Sequence, residues 1–374
     1  MKVEFYKHNL DAGDIEEVVR SLQSTFLSTG PKTLSFEKKF ADYLKIQHVI
    51  GLTSCTAALF LALKALEIGP GDEVITTPMT FIATPNTVLH TGATPVFVDV
   101  EKETGNINAK LIEQAITPRT KAIIPVHLYG QMCDMKAIRT IADRHRLKII
   151  EDCAHCIEGS REGIQPGQLG DLAAFSFYAT KNLSCGEGGA LAVHDDSLAD
   201  KIRVLRLHGM NKSAIDRYSA HYQHWDMIDL GYKYNMFDLQ ASLLLHQLDR
   251  LESYRKKREE IATYYEGVFN QTPQLSYPKV LPNSISARQL FTPWVPEQKR
   301  DFVLAGLQEM GVGVAVNFRA VHLLTYYRKT FGYKEGDFPE AEKIGNSTIS
   351  IPFYPRLTDG EIAYIAQSVT KVLQ

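Results

Sequence analysis

Short apolar runs alternate with helix-like segments between about residues 50 and 195 of the chain. Several runs are apolar on successive residues, which is typical of strands that are covered on both faces. The predicted strands are residues 73–77, 95–100, 122–126, 147–152, 173–177 and 190–193. This pattern predicts an α/β fold with a mostly parallel sheet flanked by helices. Because ligands of such sheets bind at the carboxyl ends of the strands, functional side chains are expected there.

The pattern changes in the last third of the chain. A long helical pattern covers residues 236–269, and prolines then separate a strand-like piece at 285–295 from a helix-like piece at 299–311. The change predicts a domain boundary near residue 246. We therefore expect a large domain over residues 1–245 and a smaller α+β domain over residues 246–374.

Composition and charge restrict the class of partner. The chain has 374 residues, of which 44% are hydrophobic and 22% charged, with 41 Lys and Arg against 43 Asp and Glu. The formal charge of -2 is scattered along the chain, which argues against nucleic acid or an acidic membrane as a partner. We find neither a signal-peptide core nor an apolar run that could span a bilayer. The expectation is a cytoplasmic protein that acts on a small molecule.

A helix is predicted at residues 56–66, which are rich in Ala and Leu. The small and hydroxyl residues of the stretch 51–57 lead directly into it. Such residues cap the free N–H groups of a helix start. The same N–H groups, together with the positive end of the helix dipole, also form a site for a phosphate. A plain helix cap and a phosphate site are both open interpretations at this point.

An acid, Asp152, ends the predicted strand 147–152. It could cap the next helix or act on a ligand. The following Cys153 and Cys156, with His155 between them, raise the alternative of a zinc or redox site. A closed zinc site needs four ligands, commonly supplied by two such pairs, and we find no second pair. The sparse, odd set of five cysteines favours reduced thiols, and no metal is predicted.

A single lysine, Lys181, follows the predicted strand 173–177 and precedes a glycine-rich turn in the stretch SFYATKNLSCGEGG. A lysine near such a turn is usually a solvated charge. Combined with Asp152 and the helix start at residue 56, however, it completes the set that a pyridoxal phosphate enzyme needs. The lysine forms a Schiff base with the cofactor, the acid keeps the pyridine nitrogen protonated, and the helix start binds the phosphate.

Seven motifs extend over nearly the whole chain: GLTSCTAALFLALKALEIGPGDEVITTPMTFIAT, PVFVDVEKETGNIN, TKAIIPVHLYGQMCDM, IIEDCAHCIEG, FSFYATKNLSCGEGGAL, GYKYNMFDLQASL and FGYKEGDFPEAEKIGNSTISIPFYPRLTD. Together they resemble the motifs of the DegT/StrS family of sugar aminotransferases. The resemblance implies a fold-type-I enzyme that uses pyridoxal phosphate. It also implies a homodimer with active sites at the subunit interface.

The resemblance assigns roles in cofactor binding. Lys181 corresponds to the Schiff-base lysine that also moves the proton, and Asp152 to the partner of the pyridine nitrogen. Thr56 and Ala57, with Ser176, correspond to residues that bind the cofactor phosphate.

Three further positions are implied in the same way. Phe81 would stack on the cofactor ring, and its flat apolar face suits that task. His155 would lie near the ring oxygen of the cofactor. Asn235 would reach the phosphate in the neighbouring subunit; many relatives have GYNYR where this chain has GYKYN.

The resemblance also implies the reaction. An amino acid, in this family usually L-glutamate, gives its amino group to the cofactor, which passes it to a nucleotide-linked keto-sugar. The motifs EDCAH, SFYATKN, GEGG and GYKYN are most similar to those of relatives that act on UDP-linked 4-keto-sugars. A UDP-4-keto-6-deoxy-sugar is therefore the expected acceptor, giving a 4-amino sugar for surface polysaccharide or glycan synthesis. A 3-keto-sugar enzyme is the alternative.

Candidate substrate contacts lie in the stretch NFRAVHLLTYY of the C-terminal domain. They are Asn317, Arg319, His322 and Tyr326. Arginine suits a diphosphate. These polar side chains could equally belong to the dimer surface.

Two other classes of protein compete with the aminotransferase. A related sugar dehydratase has histidine at the lysine position, so Lys181 argues against it. A non-catalytic regulator, or a redox or metal protein, would instead depend on Cys153 and Cys156.

Overall fold

The structure of the chain is a computed structural model that describes residues 1–212 and 224–374. The helices are α1 (Ala12–Leu22), α2 (Pro31–Leu44), α3 (Cys55–Ala65), α4 (Ala83–His90), α5 (Ala109–Ile112), α6 (Met135–His145), α7 (Asp196–Leu205), α8 (Asp238–Leu245), α9 (Gln247–Phe269), α10 (Arg300–Glu309), α11 (Thr325–Phe331), α12 (Pro339–Ser347) and α13 (Asp359–Leu373). The strands are β1 (His48–Leu52), β2 (Glu73–Thr76), β3 (Thr94–Phe97), β4 (Thr120–Ile123), β5 (Lys148–Asp152), β6 (Ser160–Arg161), β7 (Leu172–Ser176), β8 (Gly189–Val193) and β9 (Ser284–Ile285).

A seven-stranded sheet in the order β1-β8-β7-β5-β4-β2-β3 forms the centre of the fold. The neighbours β2 and β3, β2 and β4, β4 and β5, and β5 and β7 are parallel. Strand β8 runs antiparallel to both β1 and β7. All residues of β2, β7 and β8 are buried, as expected for strands covered on both faces. The predicted α/β fold with a mostly parallel sheet is confirmed.

The edge strand β1 was not among the predicted strands. It is five residues long, begins with a partly exposed His48 and contains Gly51, so its local strand propensity is weak. Pairing with β8 places Gly51 opposite Ala190. This strand therefore depends on a distant partner that the local pattern does not reveal.

The strand-like piece at 285–295 is mostly not a strand. Only β9 at its start forms a ladder, with β6, and later residues make isolated bridges such as Phe291 with Ile351. Pro293 has no N–H group to donate, which limits regular pairing here. Ala287, Phe291 and Val295 of this piece are buried, but only isolated bridges connect its later residues to neighbouring segments.

The long helical pattern at 236–269 is divided into α8 and α9 at His246. The first part of α9 places Leu248 and Leu251 in a hydrophobic cluster with residues of β7 and β8. Its second part contributes to a C-terminal cluster with α10 and α13, which also includes Val3. A domain boundary near residue 246 stays a prediction, and α9 connects the two clusters across it.

The sheet and its connections determine where a ligand can bind. Strands β5 and β7 end side by side at Asp152 and Ser176, and α3 starts shortly after β1. A side chain at Gly189 would overlap the backbone of Ser54 and Cys55, so glycine permits β8 to pack against the start of α3. Within the described residues, none of the helices combines the length and apolar composition needed to cross a membrane.

Candidate active site

A cavity of about 510 Å³ opens at the carboxyl ends of β5 and β7. Its walls bring together side chains from distant parts of the sequence. The predicted cofactor residues in its lining are Thr56, Phe81, Asp152, His155, Ser176 and Lys181. Residues from motifs that are far apart in the sequence thus meet in one cavity.

Asp152 lines this cavity and is only 4% exposed. Its Oδ2 accepts a hydrogen bond of 2.8 Å from the hydroxyl of Thr84 in α4, and its Oδ1 accepts one of 3.1 Å from the amide of Ala154. Burial raises the pKa of Asp152, while these two donors and the charge of Lys181 oppose the rise. A buried carboxylate of this kind is well suited to stabilise a protonated ring nitrogen.

Lys181 lies in the loop between β7 and β8 and is partly buried. Burial lowers the pKa of its amine to about 8, although Cys55 and Asp152 favour the charged form. About a tenth of an amine with such a pKa is neutral at pH 7, compared with roughly one part in 3000 for an ordinary lysine. The cavity therefore makes Lys181 available as a nucleophile and as a base.

His155 is 8% exposed, and its ring stacks on Phe318 at 5.7 Å between centroids. Its Nδ1 accepts a hydrogen bond of 3.3 Å from the amide of Tyr129. Burial, and next the charge of Lys181, hold the pKa of His155 well below its usual range. Because Nδ1 is an acceptor, the proton of the neutral ring lies on Nε2, which is then a donor.

The start of α3 forms another part of the wall. Ser54 caps the helix, and its Oγ accepts a hydrogen bond of 3.0 Å from the amide of Ala57. Cys55 and Thr56, the first two helical residues, line the cavity together with Ser176 from the end of β7. Early helical amides have no acceptor within the helix, so this end of α3 can bind an anion. Both interpretations of residues 51–57, cap and phosphate site, are compatible with this geometry.

Two phenylalanines form another part of the cavity lining. Phe81 is 54% exposed, and its ring centroid lies 5.8 Å from that of Phe318. Asn317 also lines the cavity, and its backbone carbonyl accepts a hydrogen bond of 2.6 Å from the hydroxyl of Tyr129. The Oδ1 atom of Asn317 is buried without a hydrogen-bond partner among the described residues. This oxygen is available to a ligand that carries a donor.

Asn235 is not in the cavity lining of its own chain. It pairs with Leu52 of β1, and its Nδ2 donates a hydrogen bond of 2.6 Å to the hydroxyl of Thr29. Its Oδ1 is buried and has no partner among the described residues. Its position relative to a neighbouring subunit stays a prediction.

The remaining candidates for substrate contact lie outside the cavity lining. Arg319 is exposed and directly follows the lining residue Phe318. Tyr326, on α11, is 61% exposed.

His322 is 0% exposed, and its Nε2 lies 3.0 Å from Glu342 Oε1. Its ring also packs against Phe338 at 4.8 Å. His322 is thus a packing residue within this chain, and its contact with substrate stays a prediction.

The cysteines do not form a reactive pair. Cys153 and Cys156 are buried free thiols, and they donate to the carbonyls of Glu151 and Gly130. Burial raises the pKa of both thiols well above the usual range, which keeps them protonated and unreactive. These thiols give no support to a redox or thiol-based function.

Cys153 lies in a group with His127 and Glu151 whose ligand atoms are within 4.8 Å of one another. His127 Nε2 lies 2.8 Å from Glu151 Oε2, and His127 Nδ1 accepts from the amide of Cys133. The carboxylate also accepts hydrogen bonds from two glycine amides. Since both ring nitrogens and both oxygens are engaged, this group acts as a buried connection between strands and loops.

Three residues that support the site are not among those predicted from the sequence. Thr84 donates to Asp152, and Tyr129 contacts both His155 and Asn317. Gln289 lines the cavity and hydrogen-bonds to the segment that carries Lys181. Thr84 and Tyr129 lie inside motifs that were recognised, but nothing in a linear motif shows which side chains meet.

The donor set fits pyridoxal phosphate. Lys181 has an amine with a lowered pKa, Asp152 is a buried carboxylate, and both line the same cavity as the start of α3. If pyridoxal phosphate is bound here, Lys181 would hold its aldehyde carbon, Asp152 would hold its ring nitrogen, and the α3 amides would hold its phosphate.

Comparison with known proteins agrees with this fit. Residues 8–370 match the DegT/DnrJ/EryC1/StrS aminotransferase family. The spore coat polysaccharide biosynthesis protein SpsC of Bacillus subtilis is 48% identical over 367 residues, covering 96% of this chain and 94% of SpsC.

Solved structures give the same result. The PMP-form of Spr1654 from Streptococcus pneumoniae, described as a sugar aminotransferase, is 32% identical with a TM-score of 0.94 over 99% of each chain. A PLP-form of the same protein also matches. DesV of S. venezuelae is 34% identical with a TM-score of 0.90, covering 97% of this chain and 95% of DesV. The chain belongs to the DegT/DnrJ/EryC1/StrS aminotransferase family and is a pyridoxal phosphate-dependent sugar aminotransferase.

Proposed function

We propose that this enzyme transfers an amino group from L-glutamate to the keto carbon of a UDP-linked 4-keto-6-deoxy-sugar. The product would be a 4-amino sugar for surface polysaccharide or glycan synthesis. The name of SpsC, a polysaccharide biosynthesis protein, supports this pathway. The motifs EDCAH, SFYATKN, GEGG and GYKYN support the 4-keto position. A nucleotide-linked 3-keto-sugar is the alternative acceptor.

The observation that carries amino transfer is the presence of Asp152 and Lys181 in one cavity. Bound pyridoxal phosphate supplies an acceptor for the electron pair that remains when a proton leaves the substrate carbon. Lys181 would take that proton from the substrate carbon with its neutral Nζ and would later give a proton back from its protonated Nζ, in both halves of the reaction. A pKa of about 8 suits this task, because both protonation states are accessible near neutral pH.

The other residues keep the cofactor in place. Asp152 holds the ring nitrogen, and Thr84 keeps the carboxylate oriented through its 2.8 Å hydrogen bond. His155 would donate from Nε2 to the ring oxygen. Phe81 lines the cavity with an exposed apolar ring and would cover one face of the cofactor ring.

Three residues bind the phosphate in this proposal. Thr56 and Ser176 line the cavity at the start of α3 and the end of β7. Ala57 is outside the cavity lining, and its amide, which donates to Ser54 Oγ at 3.0 Å in the structure, would turn to the phosphate when the cofactor binds. Asn235 reaches the phosphate site of the neighbouring subunit in a homodimer.

The charges of the cavity support a contribution from a second subunit. Among the described residues that line it, Lys181 is the only lysine or arginine. L-Glutamate brings two carboxylates and a UDP-sugar brings a diphosphate, and such groups are bound best by cationic side chains. Since Lys181 is committed to the cofactor, those cations come from the exposed Arg319 or from the partner subunit. Asn317 and Tyr326 complete the proposed substrate contacts.

A panel of acceptors tests the proposal. The holoenzyme is incubated with L-glutamate and either a UDP-4-keto-6-deoxy-sugar or a nucleotide-linked 3-keto-6-deoxy-sugar, and formation of 2-oxoglutarate and amino sugar is measured. We expect kcat/KM to be at least about tenfold higher for the 4-keto acceptor, a difference of about 1.4 kcal/mol. Higher activity with the 3-keto-sugar would favour the alternative, and Lys181→Ala is the inactive control.

A further inference from the structure

Two glutamine carboxamides hold the segment that carries Lys181. Gln289 Nε2 donates a hydrogen bond of 2.9 Å to the carbonyl of Thr180, and Gln289 Oε1 accepts one of 3.2 Å from the amide of Asn182. Gln247 holds Ser184 in a similar way, accepting from its amide at 3.2 Å and donating to its carbonyl at 2.7 Å.

The two glutamines differ in their relation to the lysine. Gln289 binds the peptide groups on either side of Lys181 and also lines the cavity. Gln247 binds further along the loop and is not in the cavity lining. Their exposed fractions are nearly equal, 5% for Gln289 and 4% for Gln247. The effect of flanking the lysine can therefore be separated from the effect of stabilising the loop.

The side chain of Asn182 ties the same segment to the C-terminal part of the chain. Its Nδ2 donates to the carbonyl of Ala287 at 2.9 Å and to Glu158 at 3.2 Å. Arg258 of α9 donates to the same carbonyl at 3.3 Å and pairs with Glu158 at 2.5 Å. The piece containing Ala287 and Gln289 is thus fixed against the lysine segment by several buried contacts.

We infer that Gln289 is a positioning residue for Lys181, through which the C-terminal part of the chain determines how the lysine is placed in the cavity. The inference rests on the proposed role of Lys181 as the cofactor lysine. Without the carboxamide, the peptides around Lys181 lose two hydrogen bonds and the side chain gains freedom to move towards water. A displacement of about 1 Å is enough to cost on the order of a hundredfold in rate.

The groups around the Lys181 amine indicate in which direction its pKa changes when the side chain moves. Cys55 on α3, Asp152 at the end of β5, His155 and Glu187 line the cavity together with Lys181. Burial outweighs the attraction of Asp152 and Cys55 for the charged form, so the pKa of the amine is low. Movement towards water removes part of that burial, and the pKa then rises.

The test uses the cofactor-free full-length protein in three forms, wild type, Gln289→Met and Gln247→Met. Covalent capture of pyridoxal phosphate is followed by absorbance across a pH series, and exchange of the Asn182 amide with deuterium is measured by mass spectrometry. We expect Gln289→Met to raise the pH midpoint of capture by about one pH unit and to speed exchange at Asn182. With the holoenzyme, kcat falls about tenfold or more while KM for the amino donor changes about twofold or less.

Gln247→Met is the matched control, because it loses two similar hydrogen bonds in the same loop, together with one to the carbonyl of Leu243. We expect it to lower the melting temperature at least as much as Gln289→Met and to leave the midpoint of capture unchanged. Gln289→Glu is a second variant, in which a carboxylate near the amine raises the midpoint further.

The outcomes separate the inference from the proposed function. A wild-type midpoint in Gln289→Met overturns the inference while the role of Lys181 stands, whatever the added charge does in Gln289→Glu. An equal shift in Gln247→Met also overturns it, because general loosening of the loop then explains the effect. If the wild-type protein captures no cofactor at all, the proposed function fails and the inference fails with it.

Discussion

The hydroxyl of Thr84 donates a hydrogen bond of 2.8 Å to the Oδ2 atom of Asp152, in a region where both residues are buried. Thr84→Val removes this donor with little change in shape. Because the donor lowers the pKa of the buried carboxylate, its loss weakens the charged form that holds the ring nitrogen. We expect kcat to fall about tenfold, in line with the loss of one hydrogen bond to a charged group.

Thr87→Val is the control for this change. Thr87 is buried in the same helix, and its hydroxyl donates to the carbonyl of Thr84 at 2.8 Å without contacting Asp152. Steady-state kinetics should show kcat within about twofold of wild type for Thr87→Val. Equal losses in both variants would mean that α4, and not the carboxylate contact, limits activity.

The pKa of Lys181 predicts the pH dependence of cofactor capture. The neutral amine is the nucleophile, and its fraction rises with pH until the pKa of about 8 is passed. The capture rate should therefore rise up to about pH 8 and then level off. With an ordinary lysine, the neutral fraction and the capture rate would continue to rise until about pH 10.4. Stopped-flow absorbance on cofactor-free protein measures this profile. A rate that still climbs steeply above pH 9 would contradict the burial of the amine.

Asn235 is expected to contribute to cofactor retention across the subunit interface. Asn235→Ala removes a donor, and we expect the Kd for pyridoxal phosphate to rise about tenfold. Fluorescence titration measures the Kd, and sedimentation shows whether the variant still assembles as wild type does. Thr29→Val is the control, because it removes the acceptor that Asn235 uses within its own chain. Unchanged affinity in a correctly assembled Asn235→Ala protein would argue against the phosphate contact.

Gly189 and Gly267 make a matched pair for stability. A Cβ atom at Gly189 would overlap the backbone at the start of α3, whereas a Cβ at Gly267 in α9 meets no atom within 4 Å. Gly189→Ala should lower the free energy of unfolding by about 1–3 kcal/mol and weaken cofactor binding. Gly267→Ala should raise it by up to about 1 kcal/mol, because alanine favours a helix more than glycine does. Urea unfolding tests both, and a stable Gly189→Ala protein would refute the close packing of β8 on α3.

Much of the sheet could be predicted because its strands are short, apolar and covered on both faces. Asp152 and Lys181 could be proposed from the sequence because one ends such a strand and the other follows the next one. Strand β1 could not be found locally, since its pairing with β8 joins segments far apart in the chain. The piece at 285–295 has strand-like residues but few neighbours to pair with.

The candidate site shows the same division between local and distant information. Lys181 and the start of α3 carry local signals, a glycine-rich turn and a capped Ala/Leu helix. Thr84 and Gln289 act through contacts with residues more than sixty positions away, which no local pattern records. The burial of His322 becomes clear only from its packing against Phe338 and its contact with Glu342, both of which are distant in the local pattern.

The visible absorption spectrum of the holoenzyme tests the central claim most directly, that Lys181 holds the cofactor and drives amino transfer. The spectrum is recorded before and after L-glutamate is added without sugar, for the wild type and for Lys181→Ala. We predict that the wild type shows the band of covalently held cofactor, that glutamate bleaches it, and that folded Lys181→Ala shows neither. A wild type without that band, or a Lys181→Ala variant with full transamination, would contradict the account.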